Sequence, residues 1–116
     1  MLARLARLFG RRPSSPLWLE PGELQSRLER GAARMIVDVR GPDEFDGPLG
    51  HIDGALNIPL AGLAARTAEL AGARRPIVLV CLTDKRSAQA AAELAGAGLR
   101  DVAVLRGGMR GWRTGG

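Results

Sequence analysis

The chain has one cysteine, one histidine and one lysine, and each scarcity excludes something. A lone thiol cannot close an intramolecular disulfide, so the fold does not depend on oxidising surroundings and a cytoplasmic setting is expected. With only Cys81 and His51 to offer, the chain lacks the ligands for a structural zinc site, and no metal or organic cofactor is expected. There is no internal repeat, and the sixteen glycines follow no period, which rules out collagen-like and linker-like chains. No apolar run reaches the roughly 20 residues a membrane-spanning helix needs. At 116 residues, 46% hydrophobic and 25% charged, the chain supports one domain around one core.

The charge is uneven. Sixteen arginines and Lys85 stand against twelve acidic residues, a net +5. Arg4, Arg7, Arg11 and Arg12 precede residue 17, and residues 17–116 carry thirteen basic against twelve acidic residues, or +1. Nucleic-acid binding would rest on a short tail, so no nucleic-acid partner is expected. Residues 1–16 read as a basic N-terminal extension and linker. Arg4 and Arg7 interrupt any signal-peptide core. Leu2, Leu5, Leu8 and Phe9 can share one helical face, so the segment is either a solvated extension or one that touches a membrane surface or a partner. Arg11 to Pro16 is rich in breakers and separates it from the domain, residues 17–116.

Within that domain, strands and helices alternate. Leu17 to Leu19 reads as an edge strand. Pro21 suits the first turn of a helix that carries Leu24 and Leu28 and ends near Gly31. Arg34 to Val39 is a continuous apolar strand of the buried, parallel kind. A long loop runs from Arg40 to Asp53, then a short strand from Ala55 to Ile58. An alanine-rich helix is expected from Leu63 to Leu70, stopped near Gly72. Ile77 to Val80 is the most strand-like stretch and runs straight into Cys81. A second alanine-rich helix is expected from Ser87 to Ala97, a last strand from Val102 to Leu105, and a turn with a short helix from Gly107 to Trp112. This pattern implies an open α/β sheet, mostly parallel and flanked by helices on both faces. In such sheets the reactive crevice lies at the carboxyl ends of the strands, which is where Cys81 falls.

Cys81, Leu82, Thr83, Asp84, Lys85, Arg86 and Ser87 lie between that buried strand and a helix. A loop curling at a helix N-terminus turns unpaired N–H groups inward, and the helix dipole adds positive potential. Such surroundings favour thiolate over thiol. The alternative is an inert buried cysteine, but a core cysteine is expected within Ile77 to Val80 rather than at a polar turn. Cys81 is therefore the candidate nucleophile. Arg86 can reach back across the loop, hold its curvature and present donors to an anion. Ser87 is expected to cap the helix after the loop.

Four segments in register resemble the rhodanese-like family of thiosulfate sulfurtransferases. They are Cys81 and Arg86 with four residues between them, Ile36-Val-Asp-Val-Arg40, Gly50-His-Ile-Asp-Gly-Ala55 continuing to Pro59, and Leu105-Arg-Gly-Gly-Met-Arg-Gly-Trp112. The resemblance runs from about Trp18 to Trp112. It implies a single rhodanese-like domain in which thiosulfate or another persulfide donor hands a sulfane sulfur to Cys81. A thiol or cyanide acceptor then takes it, in two half-reactions. Catalysis would rest on Cys81 and Arg86, and substrate binding on Leu82, Thr83, Asp84, Lys85 and Ser87. With no second thiol in the chain the acceptor is external. The alternative is a sulfur-relay or interaction module serving one protein partner. Phosphatases and arsenate reductases of related fold carry a wider loop, with five residues between Cys and Arg.

Asp84 departs from the family's frequent glycine. Aspartate tolerates a left-handed backbone, but its charge is expected to oppose the thiolate and repel thiosulfate, which predicts weak thiosulfate turnover. Structural support is expected from Asp38 and Arg40, which end a buried strand and need partners. Arg40 is expected to pair with Glu44 across the turn. The resemblance implies that His51 anchors the loop rather than acting as a base. Trp112 is expected to pack, with the base of the cysteine crevice as one place it can cover.

Overall fold

The computed structural model describes residues 17–32 and 34–115. The basic stretch of residues 1–16 lies outside the described residues. Among the described residues five strands form one sheet: β1 (Leu17–Leu19), β2 (Met35–Asp38), β3 (Leu56–Asn57), β4 (Ile77–Val80) and β5 (Val102–Leu105). Their order is β1-β5-β4-β2-β3, and every pairing is parallel. The helices are α1 (Pro21–Glu29), α2 (Pro42–Phe45), α3 (Thr67–Ala73), α4 (Lys85–Gly96) and α5 (Gly108–Arg113). This is the expected α/β fold.

β4 is the central strand and all four of its residues are buried. Successive side chains of a strand point to opposite faces. Ile77, Leu79 and Cys81 accordingly join Leu63, Leu70, Ala90, Ala91 and Leu94 on one face, under α3 and α4. Val78 and Val80 join Leu24 of α1 and Met109 of α5 on the other. The same alternation puts Val37 and Val39 on the first face and Ile36 on the second. Cys81 thus inherits its direction from the strand before it, towards the helix that begins four residues later.

Three stretches differ from the sequence reading. The long loop contains a helix, α2, begun by Pro42, whose fixed φ suits a first helical position. The helix expected over Leu63 to Leu70 is instead two 3₁₀ turns, Leu60–Gly62 and Ala64–Arg66, before α3. Gly72 lies inside α3, and Arg74 ends it in the left-handed region at φ 53°. Finally, α4 starts at Lys85, two residues before Ser87. Among the described residues no helix is long and apolar enough to cross a membrane.

Candidate active site

Cys81 lies just beyond β4, 1% exposed. Its sulfur is covered but not surrounded by hydrocarbon alone. Sγ is 3.3 Å from the hydroxyl of Ser87, and the Ser87 amide donates to it at 3.4 Å. Ser87 is the third residue of α4, so its N–H is one of those a helix start leaves without an internal acceptor. Its hydroxyl also sits 3.3 Å from the Asp84 carbonyl. Ser87 therefore does not cap α4, the role expected of it; Asp84 holds the cap position and Ser87 turns inward to the sulfur.

The backbone of the loop rests on α5. The carbonyls of Cys81 and Leu82 accept from the amides of Met109 (2.9 Å) and Arg110 (3.0 Å). Because the peptide unit is planar, the N–H groups of Leu82 and Thr83 then point away from α5. Among the described residues Ser87 is the loop residue whose amide reaches Sγ. Close contact is possible because Gly108 has no side chain: a Cβ there would collide with the carbonyls of Thr83 and Cys81. Gly107 and Gly108 also take φ of 77° and 56°, where other residues are strained. The sequence reading missed this seat, although two consecutive glycines after a strand are its signal.

Asp84 has φ −150°, so its position does not require the left-handed region. Its carboxylate accepts the Gly107 amide at 3.2 Å, which ties the loop to α5 a second time. Leu82 is half-buried, while Thr83 and Lys85 are exposed at the loop's outer side.

Arg86 does not reach back across the loop. Its two terminal nitrogens fork the Glu44 carboxylate at 2.8 and 2.9 Å. The Arg86 guanidinium holds the Glu44 carboxyl well below the usual carboxylate range, down to about 2. The amide of Gly41 adds to this, 3.2 Å from Oε1. Arg86 is in turn pushed up, chiefly by Glu44.

The expected Arg40–Glu44 ion pair is absent for this reason. Arg40, 1% exposed, instead forks the buried Asp38 carboxylate at 2.9 and 2.8 Å. Its remaining donors reach the Glu44 carbonyl (3.1 Å) and the Gly50 carbonyl (2.7 Å). Asn57 supplies amide donors to the Asp38 and Arg40 carbonyls. A buried ion pair stands only when its remaining hydrogen bonds are met, and here they are met by two carbonyls within the loop that carries Glu44.

His51 donates from Nδ1 to the Phe45 carbonyl at 2.9 Å and stacks on the Phe45 ring at 3.6 Å. Trp112 packs against the core cluster that holds Leu24, Val78, Val80 and Met109, on the face opposite Cys81, so it does not cover the cysteine crevice. Among the described residues no group of three or more His, Cys, Asp or Glu side chains is placed to hold a metal ion.

A family model described as the Rhodanese-like domain matches residues 20–114. Protein YqhL of Bacillus subtilis is 42% identical over 66% of this chain, and the match spans 59% of that protein's length. The thiosulfate sulfurtransferase GlpE of Pseudomonas syringae is 36% identical over 83% of this chain and 86% of its own. The solution structure of the rhodanese-like domain of Anabaena Alr3790 superposes with a TM-score of 0.76 at 32% identity, covering 91% of this chain and 76% of that one. A strand-end cysteine before a helix, on a parallel sheet of this order, thus comes with a match along nearly all the described residues: the chain belongs to the rhodanese-like domain family.

Proposed function

We propose that the protein is a sulfurtransferase that carries sulfane sulfur as a persulfide on Cys81. The reading is supported most by the placement of Sγ at the positive end of α4, with the Ser87 amide and hydroxyl 3.4 and 3.3 Å away. Hydrogen bonds to an anionic sulfur are stronger than those to a neutral one, so both groups are placed to hold the outer sulfur's charge as it arrives.

In the first half-reaction the Cys81 thiolate attacks the outer sulfur of thiosulfate. A sulfur–sulfur bond forms at Sγ, the donor's own sulfur–sulfur bond breaks, and sulfite leaves with its electron pair. Total charge is unchanged. In the second, a thiol or cyanide attacks the terminal sulfur and returns the thiolate. In the loop from Leu82 to Ser87 the proposed anion cradle rests on the Ser87 amide, and Arg86 stands at its rim. This is covalent catalysis with ping-pong kinetics.

A relay module that takes sulfur only from a protein donor is favoured by one observation, the commitment of Arg86 to Glu44. Intact mass after incubation with thiosulfate separates the two. A gain of one sulfur that disappears in Cys81→Ser supports a small-molecule sulfurtransferase. A gain only with a persulfide donor favours the relay, and no gain with either overturns sulfur carriage.

A further inference from the structure

We propose that Glu44 is a positioning residue that selects donors by charge: by holding Arg86 in its fork it withholds the guanidinium from dianionic donors and favours donors of zero net charge. The proposal deepens the sulfurtransferase reading and, for its substrates, rests on it.

Arg86 is the second residue of α4, at the rim of the cysteine loop, and both of its terminal nitrogens are taken by Glu44. An arriving anion meets a neutral pair instead of a free cation. Each side chain of the pair is 38% exposed, so the pair faces the solvent from which a donor comes. Glu44 cannot follow Arg86 into the loop. Its Oε1 accepts the Gly41 amide, its carbonyl accepts from Arg40, and Arg40 is locked on buried Asp38. For Arg86 to bind thiosulfate it must leave a carboxylate that stays where it is and stays ionised. The dianion then gains a guanidinium but approaches an unpaired negative charge.

Asp84, the acidic residue of the cysteine loop itself, is a weaker candidate for the same effect. Its carboxylate is engaged by the Gly107 amide, and Lys85 beside it carries a compensating charge. Glu44 is the acidic group that directly occupies the cation a donor would use.

Glu44→Gln keeps the shape and one acceptor of the fork while removing the charge. Two readouts test it, with Glu44→Asp as the conservative variant and thermal melting as a check of fold. The first needs no sulfur transfer: alkylation of Cys81 by iodoacetate, an anion, relative to iodoacetamide, its neutral counterpart. The ratio of the two rates is expected to rise about fivefold or more in Glu44→Gln, equivalent to about 1 kcal/mol of electrostatic discrimination, and to stay near wild type in Glu44→Asp. The second is loading by thiosulfate against cysteamine persulfide, which has zero net charge. KM for thiosulfate is expected to fall by a similar factor, with loading by the persulfide within about twofold of wild type. An unchanged alkylation ratio, or equal slowing by both alkylating reagents, overturns the proposal and leaves the pair a purely structural strut. Failure of both donors to load wild-type Cys81 would instead overturn the sulfurtransferase reading, while the alkylation ratio still decides the role of Glu44.

Discussion

Glu44 and Arg86 are 42 residues apart in the chain and meet through two parallel hydrogen bonds of 2.8 and 2.9 Å. One belongs to the loop after β2, the other to the first turn of the helix after Cys81. The pair therefore ties two crevice walls that the backbone does not connect directly. It also rests on a second, deeper pair, since Arg40 holds the Glu44 carbonyl while forking Asp38.

The pH dependence of stability is set in part by Glu44. Its carboxyl is lowered in the folded state from 4.5 to about 2, chiefly by Arg86. A depressed carboxylate contributes stability that is fully present above its unfolded value and is lost as pH falls through the folded one. Denaturant unfolding of wild type and Glu44→Gln should therefore differ most above about pH 5 and converge as pH falls from 4.5 towards 2. The pair is more than a third exposed, so solvent screening makes the gap modest. A gap that widens on acidification would contradict the assignment.

Arg40→Ala removes the partner of a carboxylate that is 0% exposed. Breaking a buried pair by deleting one member costs about 3–5 kcal/mol, because the survivor is left charged and dry. The same change frees the Glu44 and Gly50 carbonyls, so proteolysis within the loop between them should quicken. Equilibrium unfolding in urea measures the first effect. A loss below about 1 kcal/mol, the range of surface ion pairs, would show that Asp38 had found other partners.

Gly108→Ala should displace the cysteine loop. The new Cβ would clash with the carbonyls of Thr83 and Cys81, which are backbone and cannot swing aside, at a φ of 56°. Overpacking of this kind costs typically about 1–3 kcal/mol. The hydrogen bonds from Met109 and Arg110 would be lost with it, and persulfide loading of Cys81 should fall at least about tenfold, a barrier change of roughly 1.4 kcal/mol. Gly22→Ala is the matched control: nothing lies within 4 Å of a Cβ there, on α1. It should leave loading unchanged and stabilise the protein by up to about 1 kcal/mol. Equal loss of loading in both variants would dissociate the loop from its seat on α5.

The order of strands and helices was legible because its signals are local. β4 and β5 lie where uninterrupted apolar runs placed them, and Pro21 opens α1 as expected. The errors have local causes too. Alanine-rich sequence from Leu63 to Leu70 suits an α-helix, but only Thr67 onward adopts one; ahead of it Leu60 and Leu63 both pack against the core and the chain takes short 3₁₀ turns. Placing Ser87 as a cap failed because a hydroxyl near a helix start has two possible sets of partners, and the sulfur beneath it is invisible to a one-dimensional reading.

From its sequence alone this protein has a parallel α/β sheet with Cys81 at a strand's carboxyl end, because strand periodicity, glycine and proline punctuation and a polar turn are properties of neighbours in the chain. The choice of partner for the charged groups that meet across the fold was a tertiary decision. Arg86 took Glu44 from 42 residues away, and the Gly107 amide came to Asp84 from 23 residues away, while Arg40 turned to its neighbour Asp38, 2 residues back in the chain. The two long-range contacts depend on which strands lie side by side, and such contact is set by distances in space that no spacing along the chain contains.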